Sequence, residues 1–153
     1  MSEQKVDVLI CGSGSAGIMA ATWMARYGLR CKILERAKGP LQIGQADGVQ
    51  CRTVEIFQSF GKAEELMREA YHCLEVTFWN TNAKGDIART GRTPDTPTGI
   101  SHLPHLILNQ ARVNALLLEL AKSWNGQEVD YGYEVVDVKC DSAQAGKIGR
   151  AHV

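Results

Sequence analysis

Apolar residues cluster in two short blocks near the start of the chain, at residues 6–11 and 30–34. Both blocks are rich in Val, Ile and Leu, as is typical of strands in a parallel sheet that is covered on both faces. Between them, residues 18–27 are rich in Ala and Met and are followed by Gly28, which predicts a helix that ends at a C′ glycine. These three elements predict a β-α-β unit.

The rest of the chain alternates between short helical and strand patterns. The proline-rich stretch 91–104 predicts a loop. Asn109 is the predicted N-cap of a helix whose apolar positions recur at helical spacing. The elements predicted after the β-α-β unit are helices at 53–60, 62–70 and 110–124, strands at 74–79, 87–90 and 106–108, and one or two strands within 128–140.

A glycine-rich turn joins the first predicted strand to the first helix. Residues 12–17 read Gly-Ser-Gly-Ser-Ala-Gly, a G-x-G-x-x-G pattern in the context of strand, turn and helix. Gly12 permits the tight turn, Gly14 lets a pyrophosphate approach the backbone, and Gly17 lets the helix lie close to the sheet. The phosphates of a dinucleotide would lie at the helix N-terminus, where free N–H groups favour negative charge.

An acidic residue ends the second strand, where a dinucleotide places its adenosine ribose. Glu35 lies 18 residues after Gly17, and a carboxylate there favours an unphosphorylated ribose, as in FAD or NAD. The alternative is an exposed acid beside Arg36, with a turn that serves only the backbone. The motif does not separate FAD from NAD. It predicts an α/β fold with a Rossmann-like βαβ dinucleotide-binding domain.

Composition and charge narrow the classes of protein to which the chain can belong. The 153 residues are 44% hydrophobic and carry 17 basic and 17 acidic side chains, so nothing in the charge favours a nucleic acid or an anionic membrane as partner. No apolar run approaches the roughly 20 residues of a membrane span, and no signal-peptide pattern is present, so a cytoplasmic location is expected by default. Five cysteines without Cys-x-x-Cys spacing and four scattered histidines predict neither a disulfide framework nor a metal site.

Three separated blocks make the assignment more specific. The first, 43–55, contains Gly-Gln-Ala-Asp-Gly; the second has Pro-Asp-Thr at 94–96 and Gly-Ile-Ser at 99–101; the third is Leu-Asn-Gln-Ala-Arg at 108–112. In order and spacing, to about Tyr133, the chain resembles the phenol 2-monooxygenases, flavoprotein aromatic hydroxylases related to p-hydroxybenzoate hydroxylase. The resemblance implies bound FAD, NADPH as co-substrate, dioxygen and a small phenolic substrate.

The resemblance also implies roles for individual residues. Asp47 matches an active-site acid, Gln45 would lie near the flavin, and Gln110 would reach the ribityl chain or pyrophosphate. A carboxylate beside a phenol can take or steer its proton, which makes the ring more nucleophilic. Asp47-Gly48 is, however, also a common turn dipeptide. The residues implied to hold the ADP half of FAD are Gly12, Gly14, Ser15, Ala16, Gly17, Glu35 and Arg36.

The sequence departs from the family in two respects. Ser15 stands where relatives often carry proline, although a serine can still donate a hydrogen bond to phosphate. A complete enzyme of this kind is several times longer, with downstream Asp-Gly and Gly-Asp motifs and a substrate-covering sheet. Residues 1–146 are therefore expected to be the N-terminal part of an FAD-binding monooxygenase domain and inactive alone, while a homodimeric state of the full-length parent stays open.

The last residues carry a different signal. Residues 148–153 are what ATC GGA AGA GCA CAC GTC encodes, a string that resembles a sequencing adaptor. Residues 147–153 are therefore expected to be a non-native tail, the alternative being a genuine basic terminus.

Two other functional classes remain as alternatives. Another FAD or NAD oxidoreductase would share the glycine-rich turn, but a disulfide reductase needs a cysteine pair soon after the second strand, where Cys51 stands alone. An NAD-dependent dehydrogenase gives no reason for the blocks at 43–55 and 94–96. Taken literally, the chain is an inactive dinucleotide-binding fragment.

Overall fold

The computed structural model describes residues 5–139 and 150–152, arranged as two compact units. The first unit contains the chain up to Ile43 and again from Gln110, and the second is Gly44–Asn109. The elements in chain order are β1 (Val8–Cys11), α1 (Ser15–Arg26), β2 (Cys31–Glu35), β3 (Gly48–Val49), α2 (Cys51–Ser59), α3 (Ala63–Glu69), β4 (Tyr71–Cys73), β5 (Glu75–Thr81), β6 (Ile87–Pro94), β7 (His105–Ile107), α4 (Gln110–Asn125), β8 (Val129–Tyr131), β9 (Asp137–Lys139) and β10 (Arg150–His152).

The first unit is built on a parallel sheet of order β1-β2-β8. Helices α1 and α4 pack against each other, and Ile18, Ile33 and Leu117 are almost completely buried. The buried hydroxyl of Thr22 donates to the carbonyl oxygen of Ile18 and also contacts that of Leu117 at 3.2 Å, so this polar atom is satisfied inside the core. The predicted β-α-β unit is confirmed.

Two details of that unit differ from the prediction. Helix α1 begins at Ser15, three residues earlier than predicted, because its first turn is made of the small residues of the glycine-rich motif, which carry no apolar periodicity. Strand β1 was predicted to be covered on both faces, but Leu9 is 38% exposed and Cys11 is exposed. The reason is that, in the described residues, the face of β1 with Val8 and Ile10 lies on the side of α1, whereas the face with Leu9 and Cys11 is open.

The second unit contains an antiparallel sheet of order β3-β7-β4 and a separate β5-β6 hairpin. Its core is formed by Val54 and Phe57 of α2, Leu66 of α3 and Leu106 of β7, each fully buried. The hairpin turn is organised by Asn82, whose side-chain oxygen accepts hydrogen bonds from two backbone N–H groups two and four residues later.

The predictions for this unit were correct for the main elements and missed the shortest ones. Strands β3 and β4 have two and three residues, too few to show an alternating pattern. The predicted loop at 91–104 is wrong at its start, because β6 continues to Pro94 as an edge of the hairpin, a position that tolerates proline. Helix α2 begins two residues before its predicted start.

Two further expectations from the sequence concern membrane-spanning helices and the C-terminal tail. Within the described residues, no helix is both long enough and apolar enough to cross a bilayer. Most of the tail predicted at 147–153 lies outside the described residues, and the backbone of 150–152 pairs antiparallel with β9.

Candidate cofactor-binding site

The glycine-rich turn has the geometry that its pattern predicts. Gly12 has φ +94°, a value that other residues rarely adopt, and its N–H donates to the carbonyl oxygen of Leu34 on β2 at 2.8 Å. A Cβ atom on Gly17 would lie 2.2 Å from the carbonyl oxygen of Gly12, so only glycine allows α1 to approach the turn this closely. These two glycines serve the fold itself.

Gly14 serves a different purpose. It is the N-cap of α1 in an extended conformation (φ −68°, ψ 172°), has no side chain to cap the helix, and a Cβ there would meet nothing within 4 Å. Ser15 and Ala16 form the first helical turn, which contains no acidic residue. The N-terminus of α1 therefore faces open space with its N–H groups available to an anion.

Glu35 fastens the turn to the end of β2. Its Oε2 accepts hydrogen bonds from the backbone N–H of Ser13 at 2.7 Å and from the Ser13 hydroxyl at 3.0 Å, while Oε1 accepts from the N–H of Ala37 at 2.9 Å. The Ala37 and Ser13 N–H groups, helped by the nearby charge of Arg36, lower the pKa of the Glu35 carboxyl below its usual value. The carboxylate is thus ionised, held in place, and retains lone pairs for a diol.

A hydrogen-bonded group of three side chains joins α4 to the first turn of α1. Gln110 Nε2 donates to Ser15 Oγ at 2.9 Å, and Ser15 Oγ donates to Asn114 Oδ1 at 2.9 Å. The predicted donation from Ser15 to a phosphate is therefore not the bond that this structure contains. Asn114 Nδ2 is buried and has no hydrogen-bond partner among the described residues.

The Asn114 amide also allows a second arrangement of the same group. Exchange of the Asn114 amide oxygen and nitrogen by rotation would place Nδ2 as a donor to Ser15 Oγ. Ser15 would then accept two hydrogen bonds, and its own hydroxyl hydrogen would be released towards the helix N-terminus. A buried polar atom left without a partner costs about 1–3 kcal/mol, and in the rotated arrangement Asn114 Oδ1 takes the place of the unpaired Nδ2.

A groove of about 490 Å³ adjoins the turn within the first unit. It is bordered by Ser13, Asn114 and Tyr131, and by Pro40 and Leu41 of the loop after β2. The Tyr131 backbone pairs with Glu35 across the β2-β8 ladder, and burial together with the Glu35 charge raises the pKa of the Tyr131 phenol. Asn114 and Tyr131 were missed in the sequence because they belong to no motif and come together only through the fold. Ser13 is a variable position of the glycine-rich motif, for which the pattern predicts no side-chain role.

The other predicted residues are found in two places. Arg36 is exposed at the end of β2 in the first unit. Gln45 and Asp47 belong to the second unit, where both are exposed and the Asp47 carbonyl oxygen accepts a hydrogen bond from the N–H of Leu108 at 2.8 Å. The fingerprint glycines, Glu35 and Gln110 are brought together, whereas Gln45 and Asp47 form part of a separate unit.

The second unit holds one cluster that the sequence did not indicate. His105 Nδ1 lies 2.9 Å from Asp95 Oδ2, and Cys73 Sγ lies 3.7 Å from Asp95 Oδ1. Burial and the charge of Asp95 raise the pKa of the Cys73 thiol, so this is not an activated thiolate nucleophile. Sequence patterns that predict metal sites rely on ligands at short, fixed spacings. They do not detect this cluster, because its three residues come from three different elements.

The chain belongs to the FAD binding domain family, whose model matches residues 5–148. It is 56% identical over 144 residues to the FAD-dependent monooxygenase terD of Aspergillus terreus, covering 92% of this chain and 24% of that protein. It is 42% identical over 164 aligned positions to the 3-hydroxybenzoate 4-monooxygenase of Comamonas testosteroni, covering 94% of this chain and 26% of that protein. The chain therefore spans about a quarter of the length of these relatives.

Solved structures agree with the fold. The flavin-dependent monooxygenase PieE, solved with FAD and substrate, superposes with a TM-score of 0.75 at 27% identity, covering 92% of this chain and 26% of that one. Aklavinone-11 hydroxylase, solved with FAD and aklavinone, has a TM-score of 0.77 at 23% identity over 99% of this chain and 30% of that one. The predicted α/β FAD-binding fold and the resemblance to flavoprotein aromatic hydroxylases are confirmed.

The residues of the first unit fit the ADP half of FAD. Gly14 leaves open space at the helix N-terminus, Glu35 presents an ionised carboxylate at the strand end, and Asn114 Nδ2 is an unpaired polar atom of a side chain bonded to Ser15 in the first turn of α1. These three observations account for a pyrophosphate, a ribose and one additional hydrogen bond.

Proposed function

We propose that the full-length protein is an FAD-dependent monooxygenase that hydroxylates a phenolic ring, using NADPH and dioxygen. The observation that carries the proposal is the group around the start of α1, where Gly14 leaves open space and Glu35 provides a carboxylate for one ligand. Support also comes from the similarity to terD and to the 3-hydroxybenzoate 4-monooxygenase.

In this proposal the first unit holds the ADP half of the cofactor. The N–H groups from Gly14 to Gly17 bind the pyrophosphate, and Glu35 accepts hydrogen bonds from the ribose hydroxyls. Gln110 fixes Ser15 and lies near the pyrophosphate. The groove bordered by Tyr131 offers room for the adenine. When bound, FAD supplies the redox chemistry, drawing electrons from NADPH and activating dioxygen.

Asp47 is proposed as the acid beside the substrate hydroxyl. Its carboxylate orients the phenol and withdraws its proton, so that the ring carbon next to the oxygen becomes more nucleophilic. Gln45, two residues earlier in the same loop, is proposed to line the flavin side of the site. Arg36 contributes positive charge near the ADP half.

The experiment requires the full-length reading frame. The purified protein should be yellow, and its NADPH oxidation should be stimulated by a phenol with formation of a catechol. Asp47→Asn should retain flavin but lose most of the phenol-dependent turnover, because binding of the ADP half does not involve that residue. A flavin-free protein, or NADPH oxidation that no phenol stimulates, would contradict the proposal.

A second candidate is that the 153-residue chain is only a dinucleotide-binding module. The span of about a quarter of the relatives' length favours this for the chain taken alone. FAD binding without NADPH oxidation by the isolated chain distinguishes this function from that of the parent. A disulfide reductase is disfavoured because Cys51 stands alone in the sequence, its nearest neighbouring cysteines being Cys31 and Cys73.

The proposal includes a cytoplasmic location. Whether the full-length protein is a homodimer is to be tested by sedimentation. It also includes a non-native origin for residues 147–153. Codons at these positions that differ from the adaptor string would contradict that origin.

A further inference from the structure

Three side chains of the second unit converge from three separate elements. Cys73 is the last residue of β4, Asp95 follows the end of β6, and His105 is the first residue of β7. Their ligand atoms, one from each side chain, all lie within 4.8 Å of one another. No residue of this cluster belongs to the flavin site described above.

The backbone fixes the relative positions of the three residues. Cys73 and His105 are direct partners in the antiparallel β4-β7 ladder. The backbone N–H of Asp95 donates to the carbonyl oxygen of Leu74 at 3.1 Å, which ties the end of β6 to the residue after β4. The side chains of Asp95 and His105 are only 13% and 14% exposed, so solvent has limited access to the group. The cluster is therefore preorganised rather than a chance meeting of surface side chains.

The spacing is close to that of a tetrahedral metal site. With metal–ligand bonds of about 2.0–2.3 Å, the ligand atoms of such a site are roughly 3.4–3.6 Å apart. Asp95 Oδ2 and His105 Nδ1 are at 2.9 Å, and Cys73 Sγ and Asp95 Oδ1 are at 3.7 Å. All three ligand atoms lie within 4.8 Å of one another, so each needs to move by only about an ångström to surround one ion.

We propose that Cys73, Asp95 and His105 form a three-ligand site for a divalent transition-metal ion, with Zn²⁺ as its representative. Thiolate, imidazole and carboxylate together are the ligands of a borderline-soft ion, and they disfavour Mg²⁺ and Ca²⁺, which select oxygen ligands. Three protein ligands leave the fourth position to water or a small anion. The ion would join the ends of β4, β6 and β7 and offset the negative charge of Asp95 and the thiolate.

The surroundings of His105 suit metal ligation through Nδ1. A neutral imidazole that binds a metal at Nδ1 carries its proton at Nε2, which then needs an acceptor. His105 Nε2 lies 3.4 Å from the side-chain amide of Gln50 and faces Gly48, where a Cβ would approach it to 3.3 Å. With its amide oxygen turned to the ring, Gln50 is that acceptor. Gly48 leaves the space that the ring occupies.

The test is a metal titration of the flavin-free 153-residue chain, produced without a histidine tag and stripped with a chelator. Zn²⁺ affinity is measured by competition with a chromophoric chelator, and Co²⁺ is added to report thiolate ligation through its sulfur-to-metal absorption. Cys73→Ser and His105→Gln remove ligands. The matched controls are His72→Gln, which changes the neighbouring exposed histidine of β4, and Cys51→Ser, which changes a cysteine of the same unit at the start of α2.

The proposal predicts one equivalent of Zn²⁺ bound and a sulfur-to-cobalt band that disappears in Cys73→Ser. Each ligand variant should bind Zn²⁺ more than about tenfold more weakly, since changes outside the ligand shell alone cost about 10–100-fold. Both controls should bind as the unchanged chain does. Zn²⁺ should also slow the alkylation of Cys73 in the unchanged chain, a readout that requires no variant to fold.

Three results would overturn the proposal: no stoichiometric Zn²⁺ binding, binding that persists in both ligand variants, or alkylation of Cys73 at the same rate with and without Zn²⁺. Any of them would identify the cluster as a hydrogen-bonded Asp95–His105 pair with a neighbouring thiol. Because flavin is absent from the titration, these results are independent of the monooxygenase assignment.

Discussion

The two glycines that flank Ser15 and Ala16 should respond in opposite ways to the same substitution. In Gly17→Ala, the new methyl group would lie 2.2 Å from the Gly12 carbonyl oxygen and 3.2 Å from Ile10 Cγ2, whereas real Cβ contacts stay above 3.0 Å. The helix or the turn must therefore move by most of an ångström. Overpacking of this kind costs about 1–3 kcal/mol.

Gly14→Ala meets no such obstacle. Its Cβ would have no neighbour within 4 Å, and φ −68° suits alanine. Replacing glycine reduces the entropy of the unfolded chain and adds about 0.4–1 kcal/mol of stability, while alanine is a poorer N-cap by a comparable amount. The free energy of unfolding should therefore change by less than about 1 kcal/mol. The methyl group would, however, occupy the space that a pyrophosphate needs.

The assay is thermal unfolding of both variants without flavin, followed by FAD titration monitored by flavin fluorescence. Gly17→Ala should lower the Tm by about 2–12 °C, at about 2–4 °C for each kcal/mol. Gly14→Ala should leave the Tm almost unchanged and weaken FAD binding. Equal losses of Tm in the two variants, or unchanged FAD affinity in Gly14→Ala, would refute the division of roles between these glycines.

Three further substitutions test the remaining contacts. Glu35→Gln should lower the free energy of unfolding at neutral pH. Because the pKa of Glu35 is lowered in the folded state, this loss should be present above pH 4.5 and vanish as the pH falls through the folded pKa. Urea unfolding at several pH values measures the loss, and a pH-independent loss would contradict the role of the charge. Gln110→Ala should cost more free energy of FAD binding than free energy of unfolding. The reason is that Gln110 holds the Ser15 hydroxyl from a helix end that is itself accessible. Asn114→Ala should be less costly to stability than its burial suggests, by about 1–3 kcal/mol, since its Nδ2 makes no hydrogen bond among the described residues. Chemical denaturation gives the value, and a loss typical of a fully bonded amide would contradict the unpaired state of this atom.

The sequence predicted the parts of the fold that are encoded locally. The turn from Gly12 to Gly17 and the position of Glu35 follow from backbone sterics and from the ends of two strands, and the structure agrees with both. The early start of α1 could not be predicted, because small residues without apolar periodicity adopt a helix there only when the turn places them. The exposure of Leu9 depends on what packs against its face of the sheet, a property that no local pattern contains.

Most of the features that the sequence did not predict are contacts between residues far apart in the chain. Asn114 reaches Ser15 across 99 residues, and it belongs to no motif that would mark it in the sequence. Cys73, Asp95 and His105 are brought together by the register of short strands, two of which are only three residues long. Their scattered positions led to the expectation of no metal site, which the proposed zinc site would replace.

The central claim is that the full-length protein incorporates oxygen from O₂ into an aromatic ring. The most direct measurement is turnover of a phenol by the flavin-loaded protein with NADPH under ¹⁸O₂, followed by mass analysis of the product. The account predicts a hydroxylated product carrying one ¹⁸O atom for each NADPH consumed. NADPH oxidation that yields only hydrogen peroxide with every phenol tested, or a product whose new oxygen comes from water, would contradict it.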